Sequence, residues 1–172
     1  MAVTRRAAVA GSWYPGTAGA LARAVDGYLL AADEQSAGGE AAAHLADLRA
    51  LVAPHAGLMY SGPVAAFAYR QLRHRRFEVA VLVGPSHFVD FDGAAVTLVD
   101  AFETPFGLVP VDLETADALM AATPIIRNTA APHAREHCLE MQLPFMKRVC
   151  PGLPIVPLVI GRQTAATSAE LG

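Results

Sequence analysis

Two loops of this sequence carry a histidine just after an apolar run: Ala53-Pro54-His55-Ala56-Gly57 and Gly84-Pro85-Ser86-His87. Neutral imidazole is the commonest metal ligand among side chains that titrate near neutrality. A proline shortly before each histidine stiffens the approach, which suits donors that must be held in fixed geometry. If the two apolar runs are neighbouring parallel strands, both histidines reach one rim of the sheet. Open α/β sheets bind their ligands there, beyond the carboxyl ends of the strands. The same loops also read as polar strand ends with no ligand. Two histidines do not complete a catalytic metal site, for which three protein ligands are usual.

A third segment runs Pro132-His133-Ala134-Arg135-Glu136-His137-Cys138-Leu139-Glu140. His133 and His137 are four apart, as are Glu136 and Glu140, so each pair lies on one face if the segment is helical. A carboxylate from it could join two imidazoles in a non-heme iron site. It could also serve as acid or base beside one, or simply complement a helix dipole. Trp13, in a Gly/Pro turn, suits either a core plug or the wall of a pocket. His44 and His74 read as solvated surface, and the arginines at 70, 73, 75 and 76 suit a helix C-terminus. Cys138 and Cys150 read as packing residues.

The elements that must position these residues alternate along the chain. A short strand is expected at 7–10, before the Tyr14-Pro15-Gly16 turn. Leu21, Ala22, Val25, Tyr28 and Leu29 recur at helical spacing, with Thr17 as N-cap. The Gly- and Ala-rich stretch at 36–43 reads as a surface loop. A strand is expected at 48–53, then a helix at 62–72 with Ser61 as N-cap and Pro63 in its first turn. Strands follow at 78–83 and 94–99, a loop at 102–109, a helix at 113–122, and a helix at 136–149 bent near Pro144. The last strand, 155–160, carries Pro157 and so is expected at an edge or a bulge. This order predicts an α/β fold, a layered, mostly parallel or mixed sheet flanked by helices.

The 172 residues include 13 Lys+Arg against 16 Asp+Glu, a net charge of −3, which argues against a non-specific nucleic-acid binder. No apolar run reaches the roughly 18 residues of a membrane span. The N-terminus lacks the pattern of a signal peptide. Two cysteines suit free thiols in a reducing compartment, so a cytoplasmic location is expected. Charge at 17% is low against a typical value of about 25%. Either the surface is unusually apolar or part of it is covered.

Six ordered stretches together resemble the Memo family, component B of the AmmeMemoRadiSam group. They are AGSWYPG (10–16), VAPHAGLMYSG (52–62), VLVGPSH (81–87), ETPFGLVPVD (103–112), EHCLEMQLPF (136–145) and IVPLVIG (155–161). The resemblance implies a fold similar to class III extradiol dioxygenases, with a metal-site cleft. It implies that His55 and His87 are metal ligands. It places Glu136, His137 and Glu140 in the cleft as candidate catalytic groups. Trp13 and Tyr60 would line the cleft, and Ser86, beside His87, is a candidate substrate contact. The family usually has serine where this chain has Cys138.

Family members also carry a later Ser-Asp-x-Ser-His segment and a cysteine that completes the metal site, and neither is matched here. The expectation is therefore one Memo-like α/β domain over 1–172, short of the family's C-terminal part. Fe(II) or Cu is the expected cofactor, with Zn a further candidate. Two functions follow: a metal-dependent redox enzyme, or a non-catalytic scaffold that binds a phosphopeptide or anion in the same cleft. An incomplete domain would expose apolar surface, so self-association or a covering partner is also expected.

Overall fold

The computed structural model describes residues 2–37 and 48–172. The expected loop at 36–43 falls almost wholly, and His44 wholly, outside those residues. The chain forms β1 (Thr4–Arg5), α1 (Ala18–Ala37), α2 (Leu58–Tyr69), β2 (Ala80–Pro85), β3 (Ala94–Val96), β4 (Ala101–Thr104) and β5 (Gly107–Pro110). It continues through α3 (Leu113–Ala122), β6 (Ile126–Asn128), α4 (Ala131–Ala134), α5 (Leu143–Val149), β7 (Ile155–Ile160) and α6 (Ala165–Leu171). The fold is α/β with two mixed sheets, one ordered β1-β4-β5 and the other β2-β7-β3-β6.

Helix α1 buries Leu21, Val25, Leu29 and Ala32, a stripe at helical spacing. The stripe packs with Tyr14, Ala65, Ala66, Tyr69, Phe102, Phe145 and Ile155 in the main core, joining α1, α2 and α5 to both sheets. A second core, with Val96, Ala116, Ile126, Val156 and Leu158, seats α3 against β3, β6 and β7. The four-stranded sheet is thus covered by helices from both sides.

Several expectations need correction. Residues 7–10 form no strand, because the backbone N–H groups of Ala8 and Val9 donate to the Glu140 carboxylate at 2.8 and 3.1 Å instead of to a ladder. Helix α2 starts earlier than expected, at an N-cap on Gly57, so Ser61 lies inside it and donates its hydroxyl to the Ala56 carbonyl at 2.7 Å. Residues 102–109 are not a loop but the core of a hairpin. Pro105 and Phe106 turn β4 into β5, and Gly107 takes the positive φ, 91°, that the turn demands.

The expected helix at 136–149 is broken. Residues 135–139 form an irregular turn, Glu140–Gln142 a short 3₁₀ turn, and only then does α5 begin, with Pro144 near its start. β7 is not an edge strand, since it lies between β2 and β3. Pro157 is nevertheless tolerated. Ala80 and Ser86 donate to the carbonyls of Pro154 and Ile160, so the even-numbered residues of β7 face β2. Pro157 faces the other side, where β3 pairs only with Val159 and Ile160. No ladder hydrogen bond needs its missing N–H. The expected strand at 48–53 does not form: the run joins neither sheet, and it lines the same cavities as β2.

Glu140 is fully buried, and it ties the N-terminal segment to the rest of the molecule. It pairs with the buried Arg5 guanidinium and accepts the Tyr14 hydroxyl at 2.6 Å. Removing one partner of a buried ion pair leaves the other charge uncompensated, at a cost of about 3–5 kcal/mol. Glu140→Ala is therefore expected to lower the unfolding free energy by about that amount. Urea denaturation measures it, and a loss under about 1 kcal/mol would contradict this account of the anchor.

Candidate metal centre

His55 leaves the extended run that precedes α2, His87 follows the end of β2, and His137 sits in the irregular turn after α4. The three rings converge. Centroids are 5.3 Å apart for His55 and His87, 4.5 Å for His87 and His137, and 5.8 Å for His55 and His137. One nitrogen from each lies within 4.8 Å of the others, a spacing that one metal ion could bridge.

Under the rings lies the buried carboxylate of Glu136. Its Oε1 meets the Nδ1 of His87 at 2.8 Å and accepts the backbone N–H groups of His137 at 2.8 Å and Cys138 at 3.0 Å. Its Oε2 accepts the backbone N–H of His87 at 2.7 Å. A carboxylate on Nδ1 makes that nitrogen the donor and leaves Nε2 of His87 bare for a metal, the arrangement common behind metal-bound histidines. Burial alone would raise the Glu136 pKa. The bonds from the His87 and Cys138 N–H groups, the His87 ring and the His137 N–H outweigh it and hold the pKa at about 2.

The imidazoles are shifted the opposite way from a proton-holding pair. Burial lowers the pKa of His55, the charge of His87 lowers it further, and Glu136 only partly opposes this. Burial also lowers that of His137, against the pull of Glu136 and with the help of His87 and His55. Both rings therefore stay neutral at pH 7, the form that binds metal.

The Trp13 ring lies 4.3 Å from that of His137, and Phe88 lies 6.0 Å away on another side. The Arg135 guanidinium covers Phe88 at 4.8 Å. An open cavity of about 610 Å³ leads to the cluster, lined by Trp13, His55, Gly57, Met59, Tyr60 and His137. Gly84 keeps the two sides of the site together: a Cβ there would come within 2.6 Å of the Cys138 sulfur.

The structure brings His55, His87, His137 and Glu136 together, with Trp13 and Tyr60 at the mouth. Ser86 lies next to His87, but its hydroxyl bonds locally, donating to the Val89 carbonyl at 2.7 Å. Glu140 stands apart, its oxygens taken by Arg5, Ala8, Val9 and Tyr14. The break after α4 also separates His133 from His137, and the Nε2 of His133 meets the Ala95 carbonyl at 2.9 Å. Cys138 lies within 4.8 Å of His87 and Glu136 ligand atoms. Burial pushes its thiol pKa well up, and the thiol donates to the Pro85 carbonyl at 3.2 Å. Phe88 and Arg135 were not among the sequence candidates, although Phe88 directly follows His87.

Fold and site together define a mixed-sheet α/β protein with a histidine cluster at a strand-end rim, backed by a carboxylate. The family model of Memo-like proteins matches residues 5–172, and the chain belongs to that family. A MEMO1 family protein of Pyrobaculum aerophilum is 42% identical over 122 residues, 70% of this chain and 43% of that protein. One of Caldivirga maquilingensis is 34% identical over 99% of this chain and 61% of its own length. A protein memo-1 homolog of Caenorhabditis elegans is 34% identical over 92% of this chain and 43% of its own. The chain thus spans 43 to 61% of the length of these relatives.

Glu136 has a folded pKa below its ordinary 4.5, so the stability it contributes is complete above about pH 4.5 and lost as pH falls toward about 2. Glu136→Gln removes that charge and is expected to cost about 1–3 kcal/mol at pH 7. The difference from the unsubstituted chain should shrink between pH 4.5 and 2 in denaturation curves. A difference independent of pH would remove Glu136 from this role.

Proposed function

We propose that this chain carries a metal centre of redox type, with His55 and His87 as ligands and His137 as the third. The observation that carries this reading is the convergence of three imidazoles above a carboxylate that orients one of them. Neutral nitrogen donors suit iron, copper and zinc, and would exclude magnesium or calcium, which prefer oxygen. When bound, such an ion would supply Lewis acidity or, for iron and copper, electron transfer. The chain's own contribution is orientation and enclosure. Glu136 fixes the ring of His87, Trp13 packs on His137, and Tyr60 and Met59 wall the entrance. Were His55 and His87 alone to hold the ion, the His137 ring, which lines the cavity, would be the group to take or give a proton there. The imidazole donor set, which suits a redox-active ion, supports oxidation of a small organic substrate as the reaction class, in a cytoplasmic protein. Among the described residues no helix is long and apolar enough to cross a membrane.

The alternative, a phosphopeptide or anion at the start of α2, has less support. The Leu58 N–H already donates to the Trp13 carbonyl at 2.8 Å, and those of Tyr60 and Ser61 donate to Gly57. Little of that helix end is left for an anion.

Chelator-treated protein should take up one equivalent of Fe(II), Cu(II) or Zn(II) by calorimetry. His55→Ala and His87→Ala should each weaken binding by roughly tenfold or more. Because the imidazoles must be neutral to bind, affinity should fall as pH drops below their ordinary 6.5 toward the lowered values. Failure to bind any of these ions sinks the metal reading. Saturable binding of a phosphopeptide, abolished by Trp13→Ala, would favour the alternative.

A further inference from the structure

Glu136 joins the His87 segment to the turn that carries His137, but no hydrogen bond from it goes to the third imidazole. Among the described residues no hydrogen bond ends on the His55 ring, and its ring contacts are with the other two imidazoles. His55 is half-buried in irregular backbone just ahead of α2. The direction of its ring therefore depends on how the carbonyls on either side of it are held.

Side chains hold both. The buried Ser61 donates its hydroxyl to the Ala56 carbonyl, just after His55, at 2.7 Å. Gln142 donates from Nε2 to the Pro54 carbonyl, just before His55, at 3.4 Å. The same nitrogen donates to the Cys138 carbonyl, just after His137, at 3.3 Å. Gln142 ends the 3₁₀ turn Glu140–Gln142, so its place follows from the break in the chain after α4. One amide group thus bridges the backbone beside His55 to the backbone beside His137. The proline ring fixes φ at residue 54. A held carbonyl fixes ψ there as well, and with it the point from which His55 starts.

The amide can face only one way. Turned round, its oxygen would be set against the two carbonyl oxygens, whereas the NH2 group offers one hydrogen to each. That leaves Oε1 towards Tyr69, whose hydroxyl donates to it at 2.7 Å. Tyr69 ends α2, is buried, and stacks on Phe145 with ring centroids 5.2 Å apart, so the hydroxyl has little freedom to leave. Burial also raises its pKa, which keeps the proton on the oxygen. A polar network with its partners satisfied rigidifies what it holds.

We propose that Gln142, oriented by Tyr69, is the positioning residue for His55, holding the Pro54 carbonyl so that this ring enters the cluster. The proposal rests on the metal reading of the three histidines and gives them two separate supports. Glu136 sets the spacing of His87 and His137, and Gln142 adds His55 to that pair. His55 can then be released without disturbing the other two.

The test is Gln142→Met, which keeps the length of the side chain and removes both N–H donors. In the metal-free chain, nuclear Overhauser contacts between the His55 and His87 rings are expected to vanish, while those between His87 and His137 persist. Copper(II) affinity is expected to fall roughly tenfold or more. Because the effect runs through His55, Gln142→Met should cost nothing further in the His55→Ala variant. A glutamine with only a structural role would give losses that add. If Gln142→Met does not fold, Tyr69→Phe, which removes only the orienting hydroxyl, should show the same pattern with a loss of roughly threefold or more. Surviving His55–His87 contacts, loss of all the ring contacts together, or additive affinity losses would overturn the proposal. If no copper binds to the unsubstituted chain, the metal reading fails, and the ring contacts alone decide the role of Gln142.

Discussion

A buried carboxylate must be surrounded by donors or it will not stay charged, and Glu136 meets that condition by drawing in two segments of chain at once. It takes the backbone and ring of His87 from one side and the backbone of His137 and Cys138 from the other. These segments lie 49 residues apart in sequence. The charge therefore fixes the distance between two of the three imidazoles, and much else in the neighbourhood is arranged to permit that approach. Gly84 lacks the Cβ that would strike Cys138, and the Cys138 thiol closes the contact onto the Pro85 carbonyl.

Glu140 repeats the principle one layer deeper. Its oxygens hold the Arg5 guanidinium, two backbone N–H groups and the Tyr14 hydroxyl. That set pulls the N-terminal segment over the core and presents Trp13, next to Tyr14, against His137. Two glutamates four residues apart thus have separate tasks, one orienting the site and the other fastening its wall. Their separation depends on the irregular backbone of 135–139.

The place of His87 just past β2 was legible in the sequence because Gly-Pro-Ser-His closes an apolar run, a local signal; Pro-His closes the run at 48–53 in the same way, although that run forms no strand. So was α3, whose capping Asp112 accepts the Thr115 N–H at 2.8 Å. The shared face of Glu136 and Glu140 was misread because four-residue spacing implies a common face only inside a helix, and the chain here departs from one. The hairpin at 101–110 was hidden by Thr104-Pro105-Phe106-Gly107, whose turn chemistry resembles that of a longer loop. Residues 48–53 have the composition of a strand, yet strand formation needs a partner, which local sequence does not reveal. The interior place of β7 could not be read either, because Pro157 is tolerated only through a ladder that stops short of it.

The fastening of the N-terminal segment has a consequence for the order in which the molecule assembles. Arg5 and Tyr14 reach Glu140 across 135 and 126 residues. Closing loops of that length carries an entropic cost before any contact rewards it. During synthesis the first seventeen residues leave the ribosome long before their anchor exists. Helices α1 and α2 can associate early, through contacts close in sequence. The tryptophan wall must wait for residue 140, so the cleft is completed after the pairing of α1 with α2.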